Sequence, residues 1–464
     1  MYECLLCGSV FKQKTDTLNH FKTKKHLKHF NDEQIVLVKG ILVYLYNDET
    51  KPCLVNSAGG TGKTFVVSNT LSFVKNVIAL GPTHQSVNVL KEHFKVSKTF
   101  HSFFGWEQDI DEFGNDISVW KKPYIQKGTI FVFDEISMMN DAMFSLYNHY
   151  IKGKYKVIFM GDKAQLPPIN NSETEKLPID VKLITSATRF SSFFNESCII
   201  FNLKKNMRCK KENLNKFLNT LREATLNNEE YDLEDNKVLN EDFLIKIKNT
   251  DYIVLCGANK DVDYFNKKIK QILFPDNFED EILVGDKCIV NTYYTKKLYT
   301  GYRFQIASFI KEEIKLEPFN FTDKIKLKVP KQNNTSCVIS IFKIITSCNN
   351  TLIKVCDEDF NSYKRLYKAD KKYIVSLKKE DFKRSINNIE LKNIKCELQK
   401  EVKDKFSFHC YFKLNFATTV HKAQGRGFEN VIVYNKFYHQ QSSNNKYTAC
   451  SRTKKNIYIS SKKF

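Results

Sequence analysis

No stretch of this chain stays apolar for anything near the roughly 20 residues a membrane-spanning helix requires, and no secretory signal pattern precedes its first motif. Both absences exclude a membrane-embedded class and predict an intracellular, soluble protein. An internal repeat is also lacking, which argues against solenoids and propellers. HQQSSNNK, at 439–446, reads as a short polar loop and not as a low-complexity tail. Tryptophan is nearly absent: the only two, Trp106 and Trp120, fall in one segment. Cysteine is present but unpatterned. Thirteen are scattered along the chain, an odd number, and only Cys4 and Cys7 show metal-ligand spacing. Others sit in apolar runs, Cys256 in DYIVLCGAN and Cys288 in DKCIV. That pattern predicts buried free thiols in a reducing compartment.

Acidic residues are in deficit: 52 Asp plus Glu face 73 Lys plus Arg, for a formal charge of +21. A basic surface of this size favours a polyanionic partner; the alternative is a solubility feature or a Lys- and Asn-rich coding bias. The 464 residues, 42% of them hydrophobic, are too many for one core and fit roughly three domains.

Near the N-terminus the spacing is Cys4-x2-Cys7-x12-His20-x5-His26. A Cys-x2-Cys knuckle presents two thiolates to one metal. His20 and His26 fall on a predicted helix, DTLNHFKTKKH, with Phe11 and Leu18 as a miniature core. Tetrahedral zinc accepts this ligand set, and the pattern is the common two-Cys, two-His signature. His29 competes as the fourth ligand. The last turn, HFKTKKHLK, resembles the long-spaced fingers associated with double-stranded RNA or spliceosomal RNA proteins. Nucleic-acid contact, a structural clip and protein docking are all compatible with such a module.

PCLVNSAGGTGKTF follows at 52–65. CLV reads as a buried strand and FVVSNTLSFVK as a helix, the context a phosphate-binding loop requires. Ser57, Ala58, Gly59, Gly60, Thr61 and Gly62 form the loop, whose backbone N–H groups turn toward phosphates. Lys63 would reach the β and γ phosphates, and Thr64 would hold magnesium. Ser57 replaces the usual first glycine. GTIFVFDEISMM then places Asp134 and Glu135 at a strand end. Asp134 would hold Mg2+, and Glu135 would orient and activate water, the positioning that phosphoryl transfer to water needs.

The surrounding motifs resemble superfamily 1 helicases, in the 5′-to-3′ branch with the Pif1-like and RecD/Dda-like enzymes. FNDEQ at 30–34, SAGGTGKT, ALGPTHQSVNVL at 79–90, TFHSFFG at 99–105, VFDEISM, FMGDKAQLPPI at 159–169, LKKNMRCK at 203–210, TTVHKAQGRGFENVIV at 418–433 and YTACSRTKKN at 447–456 follow the family's order over residues 30 to 459. DEISM, GDKAQLPP and VHKAQG together are the specific part. The resemblance implies an adenine contact by Gln34, coupling of phosphate to DNA by Gln165, and two arginines, Arg208 and Arg452, closing on the γ-phosphate. It implies single-strand contacts by Pro82, Thr83, His84, His101 and Phe103. Thr419, His421 and Lys422 would lie near DNA or the coupling face, with a packing role the alternative for His421.

The expected fold is α/β: two RecA-like P-loop NTPase domains, an inserted SH3-like β domain and a small N-terminal ββα zinc finger. The finger would span 1–29 and the first RecA-like domain 30–190. A pin-like insertion is expected near 106–127, around the turn signal FGND, where Trp106, Phe113 or Trp120 could stack on a base pair or pack in a core. The second RecA-like domain would occupy 195–294 and 409–464, around an insert at 295–408 read as short alternating β runs. The implied activity is 5′-to-3′ translocation on single-stranded DNA with unwinding of tailed or forked duplexes, using ATP, Mg2+ and Zn2+. The implied protein acts as a monomer in replication, recombination or repair. The alternatives are a zinc-finger nucleic-acid-binding protein with a degenerate motor, and a superfamily 1 RNA helicase.

Overall fold

The computed structural model describes residues 2–3, 10–11, 27, 29–47, 51–110, 116–119, 122–168, 177, 181–182, 198–207, 211–237, 239–292, 294–295, 297–321, 324–327, 336–437 and 442–463. For residues 2–3, 10–11, 107–110 and 116–119 it describes the backbone alone. The chain divides into two compact units: one of residues 1–107, 119–265 and 417–464, and one of residues 108–118 and 266–416.

In the first unit, β1 (Tyr2–Glu3) and β2 (Val10–Phe11) pair antiparallel. Cys4, Cys7, His20 and His26 lie outside the described residues. Then come α1 (Asp32–Tyr46), β3 (Cys53–Ser57), α2 (Lys63–Leu71), β4 (Val77–Gly81), α3 (His84–Lys91), β5 (Ser97–Thr99) and the short α4 (Phe100–Phe103). β6 (Glu107–Ile110) and β7 (Asp116–Val119), nearly all of which belong to the second unit, pair with each other where the pin is expected; Phe113 and Trp120 lie outside the described residues. β8 (Ile130–Phe133), α5 (Asp141–Tyr150), β9 (Lys156–Gly161) and β10 (Ile199–Leu203) follow.

Six of these strands make one sheet in the order β10-β3-β9-β8-β4-β5, every pair parallel. The strands read as continuous apolar runs such as IFVF because helices cover both faces. Chain order is broken between β3 and β4, and β8 and β9 fill the gap. The carboxyl ends of β3, β9 and β8 therefore open side by side, the position where α/β sheets bind ligands. The sequence reading opens the second domain at about 195; Ile199–Leu203 instead runs parallel to β3 at the edge of this first sheet. Phe201 packs there so close to α1 that a Cβ on Gly40 would meet its ring at 2.2 Å.

After α6 (Glu212–Leu226), α7 (Glu241–Ile247), β11 (Tyr252–Cys256) and α8 (Asn259–Leu273), the chain enters the second unit. There β12 (Lys287–Val290), β13 (Arg303–Leu316), β14 (Cys337–Thr346), β15 (Thr351–Val355) and, later, β16 (Phe412–Leu414) form an antiparallel sheet in the order β15-β14-β13-β12-β16. Between β15 and β16 stand α9 (Phe360–Ser376) and α10 (Asn388–Lys405), where the sequence reading expects only β runs. Tyr363, Leu366 and Ile374 of α9 and Leu398 and Val402 of α10 share a core with Ile339, Ile341 and Val355 of the sheet. Cys288 is buried and free, as its apolar run predicts.

Returning to the first unit, β17 (Ala417–Thr419), β18 (Phe428–Tyr434), α11 (Ser442–Cys450) and β19 (Thr453–Ser460) complete a parallel sheet in the order β17-β11-β18-β19. Five of the eight residues of the expected loop HQQSSNNK, Ser442 to Lys446, form the first turn and more of α11. Cys256 is buried and free in the middle of this sheet. Ala164 and Leu166, which follow β9 of the first sheet, are fully buried in this second core beside Leu221, Val420 and Tyr447. No helix among the described residues is long and apolar enough to cross a membrane.

Candidate active site

β3 ends at Ser57, and the chain turns through the glycine loop into α2. Gly60 and Gly62 hold φ of 83° and 82°, the left-handed region that a side chain disfavours. The Thr61 hydroxyl donates to the Ala58 carbonyl at 3.1 Å and closes the loop on itself. Gly62 is the N-cap, so Lys63 and Thr64 open the helix. Free N–H groups and the positive end of the helix dipole therefore face the loop, a ready anion site. Lys63 and Thr64 are half-buried.

Gln34 reaches this loop from α1. Its side-chain oxygen accepts from the Asn31 N–H at 3.1 Å, and its own N–H donates to Asn31 Oδ1 at 2.9 Å, a reciprocal capping box. Its Nε2 donates to the Thr61 carbonyl at 2.9 Å. Both ends of the amide are thus engaged within the chain, and a nucleotide base would have to compete for them. Glu33 beside it accepts from the N–H groups of Lys204 and Lys205 at 2.8 and 3.0 Å, and the Met207 N–H donates to the Gly60 carbonyl at 2.8 Å. The segment leading to Arg208 is therefore tied to the phosphate loop, while Arg208 itself lies outside the described residues.

Asp134 and Glu135 leave β8 next to the loop, 7% and 9% exposed. Glu135 sits at φ 50°, ψ 48°, an uncommon conformation for a residue with a side chain. Its N–H donates to Asp134 Oδ1 at 3.0 Å. Burial pushes the Asp134 carboxyl up to about 6; Lys63 opposes the shift and Glu135 adds to it. The turn that follows packs against Gly161, where a Cβ would meet Ile136 Cγ2 at 2.3 Å.

Gln165 is 3% exposed and follows Asp162 at the end of β9. Its neighbour Leu166 is held from the second sheet on both sides: the Leu166 N–H donates to Thr448 Oγ1 at 3.0 Å, and Gln424 Nε2 donates to the Leu166 carbonyl at 2.9 Å. Arg452 precedes β19 and is 4% exposed. Its guanidinium donates to the Thr448 carbonyl, the Ser451 hydroxyl and the Arg426 carbonyl, and Nη2 lies 4.0 Å from where a Cβ on Gly59 would stand.

These groups line one cavity of about 370 Å³, with Gly59, Gly60, Lys63, Glu135, Gln165 and Arg452 in its wall. Arg426 and Lys454 line it too. Neither is in the sequence-derived set, although both lie within its motifs, Arg426 in QGRG and Lys454 in SRTKKN. Among the described residues, Ser57 Oγ, Glu135 Oε2 and Gln165 Oε1 are buried with no hydrogen-bond partner. Buried polar atoms ordinarily find partners, so two on residues of the cavity wall, Glu135 and Gln165, beside a glycine loop whose first residue carries the third, fit a polar phosphate-bearing guest. Thr64 and Asp134 are the oxygen donors that magnesium prefers. Elsewhere, a groove of about 870 Å³ between α6 and β19 carries none of these groups.

The expected nucleic-acid residues divide. Thr83 caps α3, its hydroxyl accepting from the Ser86 N–H at 3.1 Å. Phe103 is 8% exposed and packs in the core against Phe104 and Phe131. Thr419 is buried at the end of β17. Pro82, His84, His101 and His421 are half-buried, and Lys422 is exposed. Burial, reinforced by His84, lowers the His101 imidazole to about 4, and its ring meets Trp106 edge-on at 5.5 Å. Burial also lowers His84 and His421. No group of three or more His, Cys, Asp or Glu among the described residues is arranged to hold a metal ion.

Two family models match this chain. Residues 46–171 match an AAA domain, and residues 330–461 match a viral superfamily 1 RNA helicase core domain. The first span contains the phosphate loop, Asp134, Glu135 and Gln165; the second contains Arg426 and Arg452. The molecule thus has an α/β fold with P-loop and helicase-core elements and an additional β-sheet unit. An uncharacterised protein of Acanthamoeba polyphaga mimivirus is 22% identical over 473 residues, covering 87% of this chain and 93% of that protein. The ATP-dependent DNA helicase Pif1 of Campylobacter jejuni is 26% identical over 245 residues, covering 46% of this chain and 50% of that protein. Among solved structures, a Pif1 helicase studied at forked double-stranded DNA aligns at TM-score 0.48 and 15% identity over 93% of this chain and 92% of its own. Candida albicans Pif1 aligns at 0.47 and 14% identity over 94% of each chain.

Proposed function

We propose that this protein is an ATP-driven helicase that moves 5′ to 3′ on single-stranded DNA and unwinds tailed or forked duplexes. The observation that carries the reading is the single cavity shared by Lys63, Glu135, Gln165 and Arg452. The loop N–H groups and Lys63 bind the β and γ phosphates. Glu135, whose buried Oε2 is unpartnered among the described residues, accepts the proton of the attacking water. Gln165 orients that water or the γ-phosphate, and Arg452, with Arg208, counters charge as it develops. Thr64 and Asp134 would hold magnesium, which when bound would supply further neutralisation of the phosphates. The cavity draws its wall from both parallel sheets, so its closing and opening can shift one against the other and step the chain along a strand.

The 5′-to-3′ polarity rests on the sequence resemblance, as does monomeric action in replication, recombination or repair. The Cys4, Cys7, His20 and His26 spacing supports a zinc module as an added grip on nucleic acid. The match of residues 330–461 to a viral RNA helicase core favours RNA as a second substrate. The test is strand displacement on matched DNA and RNA duplexes carrying a 5′ or a 3′ tail, with ATP turnover followed in parallel. The expected outcome is ATP-dependent unwinding of 5′-tailed DNA, abolished together with ATP turnover in Lys63→Ala. Unwinding of 3′-tailed substrate alone reverses the polarity. Efficient unwinding of RNA alone favours the second reading. Wild-type turnover in Lys63→Ala removes the assignment of the site.

A further inference from the structure

We propose that Asp162, Arg222 and Tyr447 form a buried relay that couples nucleotide binding at the glycine loop to the grip on single-stranded DNA. The inference deepens the reading above and rests on it. None of the three side chains lines the nucleotide cavity; Asp162 and Tyr447 belong to segments that lead into residues which do, and Arg222 ties both to the strand that ends in the glycine loop. Asp162 stands three residues before Gln165 and Tyr447 five before Arg452, while Arg222 lies within α6. Arg222 Nε donates to Asp162 Oδ1 at 3.0 Å, and Nη2 donates to Asn56 Oδ1 at 3.2 Å. Asn56 is the residue before Ser57, at the root of the phosphate loop. The other oxygen of Asp162 accepts from the Tyr447 hydroxyl at 2.6 Å. Ala164 and Lys163 close the set: their N–H groups donate to Asp162 Oδ1 and Asn56 Oδ1, both at 3.2 Å.

The burial of this cluster determines how it can behave. Asp162 and Tyr447 are 1% exposed and Arg222 is 6% exposed. Burial weakens the Arg222 charge, but Asp162 and Tyr447 outweigh it and hold the guanidinium protonated. A pair so deeply buried adds little net stability over apolar packing, yet breaking it strands a charge in the interior. The three elements therefore move together or exchange partners as a set; they do not slide independently. Such all-or-none packing turns a small shift at one site into a discrete change at another. Phosphate entering the loop moves Asn56 and, through Arg222 and Asp162, both the Gln165 segment and the helix that carries Tyr447 toward Arg452. The expected single-strand contacts on β17 and the turn after it belong to the same parallel sheet as β19.

Tyr447→Phe removes one hydroxyl and keeps the ring; Arg222→Lys keeps the charge but cannot reach both acceptors. Each is compared with the full-length wild type for binding of a labelled oligo-dT, with and without a non-hydrolysable ATP analogue and Mg2+. Thermal midpoints are recorded beside them. In the wild type the analogue is expected to change oligo-dT affinity by about tenfold. In both variants that ratio falls toward one, while affinity for each ligand alone stays near wild type in the folded protein, even where the thermal midpoint drops by a few degrees. A wild-type ratio retained in both variants overturns the relay. So does loss of both affinities in step with loss of folded protein, which marks a structural brace. Wild-type protein that binds neither ligand overturns the helicase reading itself, a result distinct from bound but uncoupled ligands.

Discussion

His409 shows how strongly this fold constrains single side chains. It sits in the second unit with its Nδ1 accepting from the Val355 N–H at 3.0 Å and its ring 4.9 Å from Phe360. Burial lowers the imidazole from 6.5 to about 4; Lys354 adds to the shift, Asp357 opposes it and Lys364 adds again. The folded form thus binds its proton less readily than the unfolded chain. Stability from this residue is complete above the unfolded value near 6.5 and is lost as pH falls toward about 4. Protonation also places a hydrogen on the nitrogen that accepts from Val355. His101 acts in the same direction. Denaturant melts between pH 7 and 4 should show a shallower loss of stability in His409→Gln than in the wild type; parallel curves would contradict the assignment. Glu135 is a second constrained residue. Its left-handed backbone costs on the order of 1 kcal/mol or more, strain of the kind that gathers at working sites.

At the scale of elements, the start of α1 does two jobs. Its capping box was readable in FNDEQ as Asn31 followed three residues later by Gln34. The tie from Gln34 to Thr61 was not, because it joins residues 27 positions apart. A Cβ at Gly62 would meet Gln34 Nε2 at 2.9 Å, so loop and helix start are fitted to each other. Gln34→Ala should therefore lower stability by about 1 kcal/mol even without nucleotide, in addition to any loss of preference for ATP over GTP. Equal melting of variant and wild type without nucleotide would leave Gln34 a base reader alone. α9 and α10 make the opposite case. Their Lys-rich stretches hide apolar positions at helical spacing, Tyr363, Leu366 and Ile374, among β-branched residues that also suit strands. The Asn387–Glu390 capping box was the overlooked signal.

For the whole molecule, the charge of +21 and the Cys4–His26 spacing lead to one experiment. Purified protein should carry one zinc per chain, lost in Cys4→Ser with Cys7→Ser, and oligo-dT affinity should fall steeply with added salt as counterions are released. A shallower salt slope in the zinc-free variant supports a grip on nucleic acid. An unchanged slope with lowered stability supports a brace. Full metal content in the double variant would remove these ligands from consideration.

The sequence by itself determined the chemistry that lies in contiguous residues. A glycine loop between strand and helix, or two carboxylates closing an apolar strand, needs only neighbours along the chain to define it. The tertiary structure alone decided which distant side chains meet. Arg222 reaches Asp162 across 60 residues and Tyr447 reaches it across 285, and nothing local marks either as buried. The same holds for Phe103, turned into the core, and for β10, placed beside β3. Burial and long-range pairing arise when two parallel sheets pack, and the cost of an unpaired interior charge then selects the partners.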